Sequence, residues 1–246
     1  MADYSKLPSS AALKPTPFKA HASDEKLKAM FDLLRLSPIG PQVWENTSKD
    51  QGSTALNGSE RRLGVRHDWL TKAKDQWLND FDWRKHEEYF NTFPQYTIDI
   101  TGSGGETINV HFMALFSERD DAVPIGWFHG WPGNFSEFLG IFQLLKDRYS
   151  PKDLPYHVVA PSLPGYAYSS GPPMDRGYDV EQATDVLHKL MVGLFPNGYL
   201  AQGGDIGSTV VRLMAAKYDE CKGMHANAYF VCVFPTHDDT ACTVEH

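Results

Sequence analysis

The stretch of the 246-residue chain with the clearest chemical potential is Gln202-Gly203-Gly204-Asp205-Ile206-Gly207-Ser208. The apolar run before it, Tyr199–Gln202, predicts a strand, and Ser208–Tyr218 after it predicts a helix. A chain that reverses sharply between a strand and a helix lifts its apical side chain clear of the sheet, in a strained backbone conformation that tolerates only small neighbours. Gly203, Gly207 and Ser208 meet that requirement. An aspartate at the apex, Asp205, is a carboxylate nucleophile, and the dipole of the following helix favours its ionised form. The competing reading is a plain glycine-rich turn with Asp205 as a helix N-cap. A dinucleotide phosphate loop does not fit, because G-x-G-x-x-G is not matched and no basic residue follows closely.

A nucleophile on such an elbow needs donors for the oxyanion that forms when its ester is cleaved. One backbone N–H comes from the residue after the nucleophile and another from the loop after an earlier strand. His129-Gly130-Trp131-Pro132-Gly133, directly after the predicted strand Val123–Phe128, supplies that loop. The donors are then the N–H groups of Trp131 and Ile206. His129 and Pro132 fall beside the pocket, and His129 reads as a buried histidine satisfied by backbone groups rather than a proton carrier. Ala160 to Ser169, with Pro161, Pro164 and Gly165, is a further loop at a strand's C-terminal end, where open α/β sheets bind ligands. Tyr166 is its pocket candidate, and Tyr166 and Tyr168 read more readily as packing residues than as donors to a substrate oxygen.

The elements that position these segments alternate. Tyr96–Ile100 and Ile108–Ala114 predict a hairpin across a glycine-rich turn. Strands follow at Val123–Phe128, Tyr156–Ala160, Tyr199–Gln202 and Met224–Val233, with helices at Ser136–Lys146, Val180–Phe195 and Ser208–Tyr218 between them. Phe138, Ile141, Phe142 and Leu145 recur at helical spacing behind Asn134-x-x-Glu137, a capping pattern. The alternation implies an α/β architecture, a mostly parallel sheet with helices on both faces. Upstream lies a helical meander: Ser23, Asp24 and Glu25 start a helix whose stripe is Leu27, Met30, Phe31 and Leu34. A polar loop covers about 47–59, and Leu70, Ala73 and Trp77 then share a helical face. Trp69, Trp77 and Trp83 are expected to pack.

Composition narrows the function. A formal charge of −8 with a pI near 5.6 gives no footprint for nucleic acid or an anionic membrane. No apolar run approaches the ~20 residues that span a bilayer. Cys221, Cys232 and Cys242 show no C-x-x-C spacing, and the ten histidines make no H-E-x-x-H, so neither disulfides nor a metal is expected. The expectation is a cytoplasmic protein with reduced thiols and no membrane anchor.

The chain resembles the soluble fungal epoxide hydrolases of the microsomal type, which place an N-terminal extension ahead of an α/β-hydrolase core. The resemblance rests on Phe81-Asp82-Trp83-Arg84, Asn91-x-Phe93-Pro94-Gln95, His129-Gly130-Trp131-Pro132-Gly133, Pro161-Ser162-Leu163-Pro164-Gly165-Tyr166 and the segment Gln202 to Ser208. It implies that residues 1–120 are the extension and 121–246 the first half of the core. It also implies that Asp205 attacks a small-molecule epoxide to give an alkyl ester, without any cofactor. In that family two lid tyrosines, an acid and a histidine follow the nucleophile. His225, His237 and His246 sit in no matching motif, nor are Asp238 and Asp239 assignable, so the chain is expected to stop short of the complete machinery and of full turnover. The alternatives are a haloalkane dehalogenase, which shares the aspartyl-ester chemistry, and a non-catalytic binding or interaction fragment.

Overall fold

Along Thr107–Leu115 the side chains divide between two cores. Val110, Phe112 and Ala114 enter one, and Met113 and Leu115 enter the other. A strand apolar on both faces must be covered on both, and the helices divide accordingly. The computed structural model describes residues 3–47 and 65–227. Its contacts separate a unit formed by residues 1–20 and 90–246 from a unit formed by residues 21–89.

The first unit is built on seven strands: β1 (Thr16–Phe18), β2 (Gln95–Thr101), β3 (Thr107–Leu115), β4 (Val123–Phe128), β5 (Tyr156–Pro161), β6 (Tyr199–Gly204) and β7 (Cys221–Asn227). They lie in the order β1-β2-β3-β5-β4-β6-β7. β5, β4, β6 and β7 run parallel, while β1, β2 and β3 form an antiparallel wing joined to β5. One face is covered by helix Leu139–Arg148 through Phe142 and Leu145. The other is covered by Val180–Leu194 and Ile206–Lys217 through Leu187, Leu190, Met191, Val210, Val211 and Met214. This is the α/β-hydrolase architecture. Asp179 opens the Val180–Leu194 helix with a reciprocal capping box to Gln182, which fixes where that helix leaves its loop.

The second unit holds helices Asp24–Leu36, Trp44–Thr47, His67–Asn79 and the start of Trp83–Phe90. In chain order the helices are α1 to α4 here, then α5 (Leu139–Arg148), α6 (Val180–Leu194) and α7 (Ile206–Lys217). Ser23 caps α1 as expected, accepting from Lys26 N. A buried carboxylate organises this unit: Glu87 accepts from Ala22 N, Trp83 Nε1 and Arg84 Nη1.

Several boundaries differ from expectation. β1 has no counterpart among the predicted strands; it contains Pro17, and an edge strand accepts a proline whose missing N–H is not needed for pairing. β7 begins three residues before the predicted Met224, since Cys221 already pairs with Tyr199. The first turn of the helix predicted from Ser136 is a 3-10 turn, Phe135–Phe138. Trp69 and Trp77 are 61% and 47% exposed, so neither is a core residue, although Trp77 packs edge-on against Phe81 at 6.1 Å. Neither α1 nor α3 has a fully buried residue, as befits a unit too small to enclose large aromatics. Residues 48–59 of the predicted loop, 228–233 of the last predicted strand, Cys232, Cys242, His237, His246, Asp238 and Asp239 lie outside the described residues.

Candidate active site

β4 and β6 are adjacent and parallel, with Phe128 opposite Gly203, so the loops leaving their C-terminal ends emerge side by side. The β6 loop is a single residue. Asp205 stands between Gly204 and the first residue of α7 with φ 54° and ψ −123°, a region that a side chain enters only when surrounding structure compels it, at about 1–3 kcal/mol. The compulsion is steric. A Cβ at Gly203 would lie 2.5 Å from the carbonyl carbon of Gly207, and one at Gly207 would lie 2.7 Å from that of Phe128. Ser208 completes the turn, its N and Oγ both donating to the Asp205 carbonyl at 3.0 and 2.6 Å.

The carboxylate is exposed. It makes no N-cap bond to α7, which sets aside the N-cap reading. Trp131 N–H donates to Asp205 Oδ1 at 2.8 Å. That bond first, and the Ile206 N–H second, hold the Asp205 carboxyl below its ordinary range against a small opposing effect of burial. The two N–H groups expected from sequence as oxyanion donors therefore converge on this side chain. The approach requires glycine at 130, where a Cβ would lie 2.8 Å from the Asp205 carboxyl carbon.

His129 braces the loop from beneath. It is 1% exposed, its Nδ1–H donates to the Gly130 carbonyl at 3.1 Å, and its Nε2 accepts from Leu163 N at 3.0 Å. Burial keeps it neutral. With both nitrogens engaged it ties the 129–133 loop to the Pro161–Ser170 loop, and this revises its expected place among the pocket-lining residues. Pro132 is exposed and follows a cis peptide bond from Trp131, whose indole is also exposed. Tyr166 is half-buried, packs against the larger core and meets His129 edge-on at 5.2 Å.

Two residues near the nucleophile were not singled out for chemistry from sequence. Asn227, at the end of β7, accepts from Gln202 Nε2 at 2.9 Å, and a Cβ at Gly204 would lie 2.7 Å from its Nδ2. Glu137, read from sequence only as part of a capping pattern, lays its carboxyl against Gly133. Neither position belongs to a catalytic motif; each reaches the site through the register of β7 with β6 or the turn after the loop. Among the described residues no group of three His, Cys, Asp or Glu side chains is arranged to hold a metal ion, and no helix is long and apolar enough to cross a membrane.

Residues 15–138 match the family model for the epoxide hydrolase N terminus, and residues 123–239 match the alpha/beta hydrolase fold. A putative epoxide hydrolase of Dothistroma septosporum is 48% identical over 227 residues, covering 92% of this chain and 52% of that protein. Epoxide hydrolase 1 of Sus scrofa is 32% identical over 219 residues, covering 87% of this chain and 45% of its own length. The solved structure of Aspergillus niger epoxide hydrolase superposes with a TM-score of 0.81 at 43% identity, covering 98% of this chain and 58% of that one. The chain thus spans about half the length of the curated relatives it matches.

Proposed function

The chain belongs to the epoxide hydrolase family that carries this N-terminal region, and on that footing we propose that Asp205 opens a small-molecule epoxide by forming an alkyl ester. The observation that carries the reading is the Asp205 carboxylate, ionised and exposed at a positive-φ apex, with the Trp131 N–H 2.8 Å away. An Asp205 oxygen bonds to an epoxide carbon, the C–O bond breaks with its electron pair on oxygen, and that oxygen takes a proton from water or a general acid. Water then adds to the ester carbonyl, losing a proton to a base. The N–H groups of Trp131 and Ile206 hold the resulting oxyanion, each such donor contributing about a hundred- to a thousand-fold. Collapse releases a vicinal diol and restores the carboxylate, so the net reaction is epoxide plus water to diol.

His129 acts in this scheme by holding the loop that carries the Trp131 N–H, while Pro132 and Tyr166 border the space in front of Asp205. The division into an extension over 1–120 and a core from 121 is supported by family matches that overlap only across residues 123–138. Cys221, the described cysteine, is a buried free thiol, which suits a reducing compartment such as the cytoplasm.

The reaction is tested by a single turnover of styrene oxide in 18O-labelled water. Ester chemistry at Asp205, with hydrolysis of the ester completed by mild base in the same labelled water, places the label in its carboxyl group and leaves the first diol molecule unlabelled. Label in the first diol and none in Asp205 means direct attack by water and refutes the scheme. Halide release from a haloalkane, with no diol formed from the epoxide, would assign the same ester chemistry to dehalogenation instead.

A further inference from the structure

Glu137 lies on the 3-10 turn that follows the 129–133 loop. Phe135 and Phe138 anchor that turn in the core, and Asn134 secures it by accepting from Ser136 N through Oδ1 at 2.9 Å and from Glu137 N through its carbonyl at 3.0 Å. The Glu137 side chain folds back over the loop. A Cβ at Gly133 would lie 2.5 Å from its carboxyl carbon, just as a Cβ at Gly130 would lie 2.8 Å from that of Asp205. Two carboxyl groups therefore rest against glycines three residues apart in one short loop.

We propose that Glu137 is a positioning residue for the nucleophile, an ionised neighbour that opposes the negative charge of Asp205 until ester formation removes it. The inference rests on the reading of Asp205 as an ester-forming nucleophile. Like charges at close range disfavour each other's ionisation. The Glu137 carboxyl is accordingly raised, first by burial and then by the charge of Asp205, with a backbone bond to Asn134 working the other way. The coupling is reciprocal, so ionised Glu137 leaves the Asp205 anion less stable and more reactive. Esterification makes Asp205 neutral and ends the repulsion. The turn also contacts β5 and α5. The titratable and charged groups on the surrounding elements are His129 in the loop, Tyr156 and His157 on β5, and Lys146, Asp147 and Arg148 on α5. Of these and Asp205, only the charge of Asp205 acts on the Glu137 carboxyl.

The test follows the rate of Asp205 ester formation with styrene oxide against pH, by quenched intact-mass measurement, in the wild-type chain and in Glu137→Gln. The wild-type rate is expected to rise in two steps with pH, Asp205 ionising first and Glu137 above it. Glu137→Gln is expected to show only the first step, at the pH where Asp205 ionises in the wild type, and a plateau lower by about three- to tenfold, the equivalent of about half to one pKa unit of coupling. Superimposable profiles overturn the proposal. A loss of rate that leaves the profile's shape intact assigns Glu137 a structural role alone and overturns it as well. Carboxyl 13C titration gives a second reading without turnover: Glu137 is expected to titrate lower in Asp205→Asn than in wild type, and an unmoved titration overturns the coupling. Absence of any adduct on wild-type Asp205 refutes the proposed function, and the carboxyl titration then decides this inference by itself.

Discussion

Gly207→Ala and Gly140→Ala make the same chemical change near the start of two helices, and the structure assigns them opposite signs. Helix propensity alone favours alanine by about 0.5–1 kcal/mol at either position. At Gly140 a new Cβ would meet nothing within 4 Å, so that gain should be realised. At Gly207 it would lie 2.7 Å from the carbonyl carbon of Phe128 and 2.9 Å from the carbonyl oxygen of His129. Ordinary contact begins near 3.4 Å, so α7 must withdraw from the end of β4 by more than half an ångström. Both obstacles are backbone and neither can rotate away. Overpacking of this kind costs about 1–3 kcal/mol, which outweighs the propensity gain. Urea unfolding followed by circular dichroism should show Gly140→Ala stabilised and Gly207→Ala destabilised by about 1–2 kcal/mol, a fall in Tm of roughly 2–8 °C for a chain of this size. The same withdrawal moves the 129–133 loop off Asp205, so the Asp205 carboxyl should titrate higher in Gly207→Ala. Equal stabilisation by both substitutions, with Asp205 unmoved, would refute the steric reasoning.

Further outcomes follow from buried polar groups. Burial opposes ionisation of Glu87, but its bonds to Ala22 N–H, Arg84 and Trp83 outweigh that effect and set its pKa at about 2. The stability it contributes is present above the ordinary carboxylate range and should be lost as pH falls towards about 2. Glu87→Gln should remove about 1.5–3 kcal/mol, reported by the fluorescence of Trp83, whose indole donates to Glu87; an unchanged acid unfolding curve would count against this. Burial pushes His111 down to about 3 and His157 down to about 4, so both are neutral in the fold and take up protons on unfolding. Stability should decline as pH falls below about 6.5, and a level curve between about pH 7 and about pH 5 would contradict their neutrality. His129→Ala should cost about 1–3 kcal/mol for each of the Leu163 N–H and Gly130 carbonyl groups that it leaves unpaired. It should also slow adduct formation at Asp205, and full retention of both properties would refute its bracing role.

The parts of the fold set by local pattern were legible in sequence. β4 matches its predicted span of Val123–Phe128, and β5, α6 and β6 agree to within two residues at either end, because apolar runs between caps and glycines leave little choice. The elbow was legible because its glycines answer a steric demand that any strand–nucleophile–helix turn makes. What escaped depends on partners distant in sequence. β1 exists through pairing with β2 some eighty residues on, despite Pro17. The tryptophans of α3 show helical spacing, but spacing cannot reveal whether another element arrives to cover them. Glu137 fits a capping pattern from sequence, and its nearness to the nucleophile emerges only when the loop folds back over Gly133.

The central claim, that Asp205 is a nucleophile activated by its loop, is met most directly by mapping the covalent adduct formed with styrene oxide. After brief incubation and acid quench, proteolysis and tandem mass spectrometry should find a single ester on Asp205, with no such adduct in Asp205→Asn. An adduct spread over histidine, cysteine or other carboxyl groups, and undiminished in Asp205→Asn, would contradict it.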